Sequence, residues 1–425
     1  MTPILIRLEM LPRLCSISTA RIESIPANLT VTANPAEAYS KRGNIYFDRG
    51  DYDRALGDYN AAIRLKPDYA NAYNNRGNVY NLKGENDLAI ADYDQAIQLN
   101  PDLVVAYYNR GFAYNDQGEY DRALADFDQA VQFKPHDAVA YAYRGLAYYF
   151  QSDYDRAIAD YDQAIQLNPE GSDAYINRGL AYYQKGDADQ AIADYNQAVR
   201  LNPDDAYAYA GRGSAYDEKG EYDRALADYN IAIQLQPDYP NAYNDRGVTY
   251  NKQGAHDRAI ADYDTAIQLK PDYAIAYVNR GMAYFATGDT PRAIADFDHA
   301  IQLKLNRFEV YYKRGFAYAS QGQYDRAIAD YDQAIQLKPD YATAYENRGM
   351  AFYRKKEYDR AIADYTKVIQ LAPDFVSAYY NRGLAYQYNG ASDKAVDDYK
   401  KVLELSSDPG LRQDAQDQLK LLGAQ

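Results

Sequence analysis

The sequence predicts an all-α protein built from tandem pairs of antiparallel helices. An Arg-Gly pair recurs every 34 residues, from Arg42-Gly43 to Arg382-Gly383, in eleven copies without a change of spacing. A fixed period of this size indicates a repeat protein, in which each unit stacks on its neighbours to bury its apolar face. Within each period, apolar residues form two groups with the three- and four-residue spacing of amphipathic helices.

The repeat from Ala70 to Leu103 shows how the two helices are encoded, with Ala70 taken as its first position. Its first helix is predicted from the apolar face of Tyr73, Gly77 and Tyr80. The second is predicted from a larger set, which is Ala89, Ile90, Tyr93, Ala96 and Ile97. Because Gly77 and Ala89 are small, we expect the two helices to approach each other closely at these positions.

Glycine, acidic residues and proline mark the ends of these helices. Gly84 is expected to end the first helix in a left-handed conformation, and Glu85 is expected to cap the second helix. Asn100-Pro101 follows the second helix and should end it, because proline cannot continue a helix. Each period is therefore one helical hairpin.

The chain divides into three predicted regions. Residues 1–33 do not match the repeat; charged residues interrupt their apolar run, which makes it a poor secretory signal, and we expect disorder or loose packing. Residues 34–408 hold the eleven repeats, beginning at the helix-start signal Asn34-Pro35. Residues 409–425 read as one more amphipathic helix, which would cap the end of the array.

The repeat resembles the tetratricopeptide repeat, whose pattern is W-x-x-L-G-x-x-Y, then A, F and P over 34 residues. Tyr73 stands at the Trp place, Gly77 at the Gly, Ala89 at the Ala and Pro101 at the Pro. In every copy Tyr replaces Trp, and Arg, which is Arg76 in this repeat, replaces Leu. The resemblance implies a right-handed α-α superhelix whose first helices line a concave groove that binds other proteins.

Composition narrows the classes of partner and compartment. A formal net charge of −15 and a pI near 4.8 argue against nucleic acid and anionic membranes as main partners. The single cysteine, Cys15, excludes an internal disulfide framework and favours a reducing compartment, which predicts a cytoplasmic protein. No apolar run reaches the length of a membrane span.

Catalytic, metal and cofactor sites receive little support from the sequence. The histidines His136, His256 and His299 occupy different positions of different repeats, which is not the arrangement of a metal or catalytic cluster. The chain contains neither a glycine-rich phosphate loop nor a nucleophile motif. We therefore predict a protein that is not an enzyme and that carries no metal and no cofactor.

An arginine and an aspartate recur in every repeat. Arg76 stands where the resemblance implies an apolar core residue, and Asp92 lies sixteen residues later. Because a half-buried arginine needs a carboxylate, we predict an Arg–Asp pair between the two helix layers, within a repeat or across to its neighbour. The alternative is a row of positive charge that faces the groove.

Asparagine recurs at the sixth position, which is expected to face the groove. Such amides could pair with the backbone of an extended peptide without reading its sequence, as in the similar asparagine ladder of the O-linked N-acetylglucosamine transferase repeats. The alternative is that they solvate the helix or form local bonds. The candidate residues are Asn75, Asn109, Asn177, Asn279, Asn347 and Asn381.

Aromatic residues form two separated groups at the other groove positions. They could anchor two segments of a partner, or they could pack between helices. In the third to fifth repeats they are Tyr108, Phe112, Tyr149, Phe150 and Tyr183. In the eighth to eleventh repeats they are Phe285, Tyr312, Phe316, Tyr353, Tyr380 and Tyr388.

These observations favour a non-catalytic scaffold or adaptor that captures extended peptides of partner proteins. A self-assembling structural array and a regulatory subunit of an enzyme complex are the alternatives, and oligomerisation is left open. The sequence does not identify the partner or the pathway, because one fold serves many functions.

Overall fold

The structure, a computed structural model, describes residues 34–424. These residues form 23 α-helices and contain no β-strand, which confirms the predicted all-α fold of paired helices. The predicted disorder or loose packing of residues 1–33 concerns a segment outside the described residues and stays a prediction.

Two compact units divide the described residues between Gln236 and Pro237. Unit 1 contains six hairpins, with helices α1 (Pro35–Asp48), α2 (Tyr52–Leu65), α3 (Ala70–Leu82), α4 (Asn86–Leu99), α5 (Val104–Asp116), α6 (Tyr120–Phe133), α7 (Ala138–Phe150), α8 (Tyr154–Leu167), α9 (Ser172–Gln184), α10 (Ala188–Leu201), α11 (Ala206–Glu218) and α12 (Tyr222–Leu235).

Unit 2 contains five hairpins and one further helix. Its helices are α13 (Pro240–Lys252), α14 (His256–Leu269), α15 (Ala274–Ala286), α16 (Thr290–Gln302), α17 (Phe308–Ser320), α18 (Tyr324–Leu337), α19 (Ala342–Arg354), α20 (Tyr358–Leu371), α21 (Val376–Tyr388), α22 (Ser392–Leu405) and α23 (Pro409–Leu421). The odd-numbered helices α1 to α21 are the first helices of the hairpins, and each is followed by its second helix.

The helices end near the predicted glycine and proline residues, but one predicted N-cap is wrong. Gly84 has φ +76° directly after α3, and α4 ends at Leu99 before Pro101. The prediction that Glu85 caps α4 is wrong, because its side chain accepts no capping hydrogen bond. At the same position Asp153 accepts one from the Arg156 amide at 3.1 Å. The shorter aspartate side chain is the better N-cap acceptor.

Small residues allow the two helices of a hairpin to approach closely, as predicted. A Cβ atom added to Gly77 would lie 2.6 Å from Cε1 of Tyr93, so the ring or the helix would have to shift to admit it. Ala89 and Ala96 on the second helix are completely buried, and Tyr93 is nearly so. The tyrosine ring therefore fills the space that glycine leaves, and it is among the largest fully buried side chains of the protein.

The predicted Arg–Asp pair is confirmed in all eleven hairpins, where Nε and Nη2 of the arginine donate to both carboxylate oxygens of the aspartate. In α3, Arg76 donates to Asp92 at 2.7 and 2.6 Å, and its Nη1 donates to Asn60 Oδ1 of the preceding hairpin at 2.6 Å. The Asp92 hydrogen bond raises the pKa of Arg76. Each arginine is therefore paired with an aspartate between the two helix layers and does not form a row of unpaired positive charge.

Candidate functional site

The side chains at the second, fifth, sixth, ninth, twelfth and thirteenth positions of the first helices are called here the first-helix surface of each unit. In the first hairpins of unit 1 this surface is a network of amides. Asn75 Nδ2 donates to Asn44 Oδ1 at 3.0 Å, and Asn74 Nδ2 donates to Asn75 Oδ1 at 3.1 Å. Asn109 Nδ2 donates to Asn74 Oδ1 at 2.9 Å. The bonds of Asn75 with Asn44 and of Asn109 with Asn74 join adjacent hairpins, and the bond between Asn74 and Asn75 links them within α3.

Buried tyrosines bond the asparagines at the ninth position of the first two hairpins. The Tyr59 hydroxyl donates to Asn44 Oδ1, and the Tyr93 hydroxyl donates to Asn78 Oδ1, both at 2.8 Å. A polar residue at the ninth position therefore satisfies the hydroxyl that the core tyrosine would otherwise bury unpaired. The two asparagines are held in place by the core of their own hairpins.

The candidate ladder in unit 2 uses its amide groups in a similar way. Asn279 Nδ2 donates to Asn244 Oδ1 at 2.9 Å, and Asn347 Nδ2 donates to the Tyr312 hydroxyl at 2.9 Å. The side-chain amides of Asn381 in unit 2 and Asn177 in unit 1 form no hydrogen bond among the described residues. The structure thus brings some ladder residues into bonds between hairpins, and peptide pairing by the ladder stays a prediction.

The aromatic candidates of unit 1 lie mainly inside the protein. The Tyr149 side chain is only 8% exposed, and Tyr108 and Phe112 are buried as well. Phe112 and Tyr108 both contact the Tyr143 ring edge-on, with ring centroids 4.3 and 5.4 Å apart. The packing alternative therefore describes these three rings in the unbound protein. Phe150 and Tyr183 are half-buried, and Phe150 stacks on Tyr120 at 5.8 Å.

The aromatic candidates of unit 2 are more accessible. Phe316 is 43% exposed, and it contacts Phe285 at 5.6 Å and Tyr312 at 6.4 Å between ring centroids. Tyr388 is 61% exposed, and it contacts Tyr353 edge-on at 5.8 Å. Each exposed ring therefore contacts neighbouring rings, while a large part of its surface stays accessible to solvent.

The remaining candidate of unit 2, Tyr380, is half-buried. Its ring contacts Tyr399 at 5.8 Å between centroids, and burial raises the pKa of both hydroxyls. This contact resembles that of Tyr312 with Tyr331, at 6.0 Å, in the ninth repeat. Both rings are thus tied to the core of their own hairpin.

Sequence reasoning did not single out two residues of α5. The buried Asn115 amide forms no hydrogen bond to any described residue, which is costly for a polar group. Asp116 follows it on the exposed side and makes no ion pair among the described residues; desolvation by the surrounding protein raises its pKa to about 6. The repetition of asparagine at the twelfth position, in Asn81 and Asn115, was the available signal.

The three histidines lie apart from one another in sequence and in surroundings. His256 Nδ1 lies 2.7 Å from Asn251 Oδ1, and the His299 ring stacks on Tyr277 at 4.9 Å. Within residues 34–424 no group of three His, Cys, Asp or Glu side chains is placed to hold a metal ion. None of the helices in that range has the length and apolar character needed to cross a membrane.

Comparison with protein families agrees with this geometry. Models described as TPR repeat match residues 43–84, 77–118, 213–254, 249–288, 281–322, 317–356 and 349–390. Models described as tetratricopeptide repeat match residues 104–137, 144–206, 194–227 and 376–409. The chain belongs to the tetratricopeptide repeat family. Among curated proteins, no sequence matches this tetratricopeptide repeat protein.

Solved structures share the fold of this tetratricopeptide repeat protein. One is a tetratricopeptide repeat protein from Parabacteroides merdae, with 23% identity, 58% of this chain and 98% of that chain covered, and a TM-score of 0.51. Another is the human IFIT1 dimer with m7Gppp-AAAA, with 17% identity, 89% and 91% covered, and a TM-score of 0.52. MamA is also similar over a part of the chain, with 32% identity, 39% of this chain and 90% of that chain covered, and a TM-score of 0.38. Family membership supports a protein-interaction scaffold as the general role.

Proposed function

We propose that this tetratricopeptide repeat protein is a non-catalytic scaffold that captures extended segments of partner proteins on its first-helix surfaces. The observation that carries the proposal is the pair of exposed, ring-supported side chains in unit 2, Phe316 and Tyr388. Rigid aromatic side chains lose little conformational entropy on binding and are common anchors of interfaces. A peptide that seats an apolar side chain on each would be held at two points.

The first-helix surfaces also carry the polar groups that an extended backbone requires. Asn177 and Asn381 have amides without partners among the described residues, and an amide offers both a donor and an acceptor. Asn109, Asn279 and Asn347 donate to neighbouring hairpins, while their carbonyl oxygens accept no hydrogen bond from the described residues. These oxygens could accept hydrogen bonds from peptide N–H groups. Partial ladders of this kind support backbone capture together with the aromatic anchors.

The proposal includes a protein partner rather than nucleic acid and a cytoplasmic location. The net charge of −15 opposes binding to a polyanion, and one cysteine suits a reducing compartment. Human IFIT1 with m7Gppp-AAAA shares the fold, at 17% identity. Because a shared fold does not carry a ligand with it, that complex does not alter the proposal.

A quantitative pull-down tests the aromatic anchors. The full chain is immobilised, and bound proteins from an extract of its own cells are quantified for the wild type and for Phe316→Ala/Tyr388→Ala. We expect a subset of partners to fall on the order of tenfold in the variant, because truncating an interface anchor often costs that much.

Phe133→Ala is the matched control, since Phe133 is an exposed aromatic residue at the end of a second helix. Helix content by circular dichroism should be the same for all three proteins. Equal partner amounts for the wild type and the double variant would contradict the proposal. Light scattering of the purified chain over a range of concentrations would show whether it self-assembles instead.

A further inference from the structure

Lys313 in unit 2 and Lys41 in unit 1 occupy the same position of the repeat but have different partners. Each lies four residues after a glutamate, Glu309 and Glu37 respectively. Lys41 Nζ forms an ion pair with Glu37 at 2.7 Å, as this spacing favours on a helix. Lys313 forms no ion pair or hydrogen bond with any described residue, and Glu309 attracts it only from a distance.

The environment of Lys313 makes an unpaired ammonium unfavourable. The side chain is partly buried, and this burial lowers its pKa. A cation that has lost water without gaining a carboxylate raises the free energy of the folded protein. Lys41, by contrast, is largely exposed as well as paired. An incoming carboxylate would therefore supply Lys313 with the partner that its own hairpin does not provide.

The positions on either side of Lys313 carry neutral amides. Asn279 and Asn347 hold the sixth position of the preceding and following hairpins, and one amide hydrogen of each bonds to Asn244 or Tyr312. The second hydrogen of each amide is a neutral donor, which binds a carboxylate more weakly than an ammonium does. Lys313 is therefore the charged donor among these three neighbouring side chains.

An accessible apolar surface lies beside Lys313. Phe316 is three residues further along α17, on the same side of the helix, and is supported by Phe285 and Tyr312. Met282, at the ninth position of the preceding hairpin, is also exposed, with 37% of its surface accessible. A cation next to exposed rings and a thioether fits an acidic side chain that is followed by an apolar one.

We infer that the first-helix surface of unit 2 recognises a peptide segment in which an acidic side chain stands next to an apolar side chain. The carboxylate would pair with Lys313 Nζ, and the apolar side chain would lie against Phe316 and Met282. A carboxylate–ammonium hydrogen bond is stronger than a neutral one and would fix the register of the peptide. This inference rests on the proposed peptide capture and specifies the chemistry of the captured segment.

Two pools of fluorescently labelled peptides test the inference. In one pool a fixed Glu-Leu pair is flanked by degenerate positions, and in the other a Gln-Leu pair replaces it. The peptides are amidated, so that the side chain supplies the carboxylate. Binding to the full chain is followed by fluorescence anisotropy at low ionic strength. We expect the Glu pool to bind the wild type about tenfold more tightly than the Gln pool, as a charge-assisted hydrogen bond allows.

The variants separate Lys313 from general electrostatics. Lys313→Met should remove the preference for glutamate, whereas Lys41→Met, the same substitution at the same position, should preserve it. Phe316→Ala should weaken both pools. Equal binding of both pools to the wild type, or an equal loss in both lysine variants, would overturn the inference while peptide capture stands. The absence of binding by either pool would overturn both.

Discussion

At the turn within the hairpin, two residues adopt a backbone conformation that the other hairpins give to glycine. Ser152 and Lys356 each have φ +63° at the turn between the two helices of their hairpins. In the other nine hairpins this position is glycine with positive φ, as in Gly186 at +84°. A residue with a Cβ atom costs about 1–2 kcal/mol of steric energy in the left-handed region, whereas glycine adopts this conformation without that cost. The turn is therefore strained in these two hairpins.

Replacing these residues with glycine should stabilise the protein. We expect Ser152→Gly and Lys356→Gly each to increase the free energy of unfolding by about 0.5–1 kcal/mol, because the released strain exceeds the added flexibility of the unfolded chain. Urea unfolding followed by circular dichroism measures the effect. Gly186→Ser is the control and should destabilise by a similar amount, since a Cβ there meets no atom within 4 Å and only backbone strain changes. Unchanged stability in all three would contradict this account.

At the scale of helices, the Arg–Asp pair adds directional bonds between elements that the apolar core also joins. Arg110 on α5 donates to Asp126 on α6 and to Asp94 on α4, so one guanidinium links three helices. Burial raises the pKa of Asp126, and the Arg110 guanidinium opposes this rise without cancelling it. The carboxylate thus depends on Arg110 to remain charged inside the protein.

Removing one partner should therefore cost much more than removing both. We expect Arg110→Leu to lower the free energy of unfolding by roughly 3–5 kcal/mol, because Asp126 would stay buried without its partner. Arg110→Leu/Asp126→Leu should recover most of this loss. Arg122→Leu, which breaks the exposed pair with Glu119, should change stability by about 1 kcal/mol or less. Hydrogen exchange of the backbone amides of α4, α5 and α6 shows whether the destabilisation is centred on these helices. Equal losses of stability in all three variants would rule out this role for the pair.

At the scale of the whole molecule, one tyrosine core recurs in both units. The same position of the second helix holds Tyr161 and Tyr195 in unit 1, and Tyr331, Tyr365 and Tyr399 in unit 2. All five are almost completely buried, and burial raises the pKa of each hydroxyl. Because the stability of a repeat array is approximately the sum of its repeats, an effect of one buried tyrosine is multiplied in each unit.

This core predicts a steep loss of stability at alkaline pH. An unfolded tyrosine ionises near pH 10, whereas the folded protein keeps these hydroxyls protonated. Their contribution is therefore fully present below pH 10 and is lost as the pH rises towards the folded pKa. Each such tyrosine lowers the free energy of unfolding by roughly 1.4 kcal/mol per pH unit in that range. Tyrosinate absorbance and helix content by circular dichroism should change together for the buried class.

Tyr161→Phe provides the control for this titration. The Tyr161 hydroxyl is buried without a hydrogen-bond partner among the described residues, so its removal should not destabilise the protein at neutral pH. The alkaline midpoint of the variant should move upward, because one titrating group is gone. Ionisation of the buried tyrosines while the helices persist would contradict the prediction.

The fold could be predicted closely because its information is local and repeated. The 34-residue period, the small Gly77 and Ala89, and the apolar spacing each specify the same hairpin eleven times. The Arg–Asp pair followed from an arginine at an interior position and an aspartate at a constant distance. The predicted cap at Glu85 is wrong because side-chain reach, and not charge alone, decides whether an acid bonds a helix N-terminus.

The candidate site was less predictable, because the partners of its side chains come from neighbouring hairpins. Tyr149 and Phe316 are both aromatic candidates in the sequence, yet the first is buried and the second is exposed. Glu37–Lys41 and Glu309–Lys313 have the same spacing, yet only the first forms an ion pair. Helix periodicity fixes the direction of a side chain. Whether that side chain is covered, paired or free depends on packing against residues about one repeat away, which only the folded chain brings together.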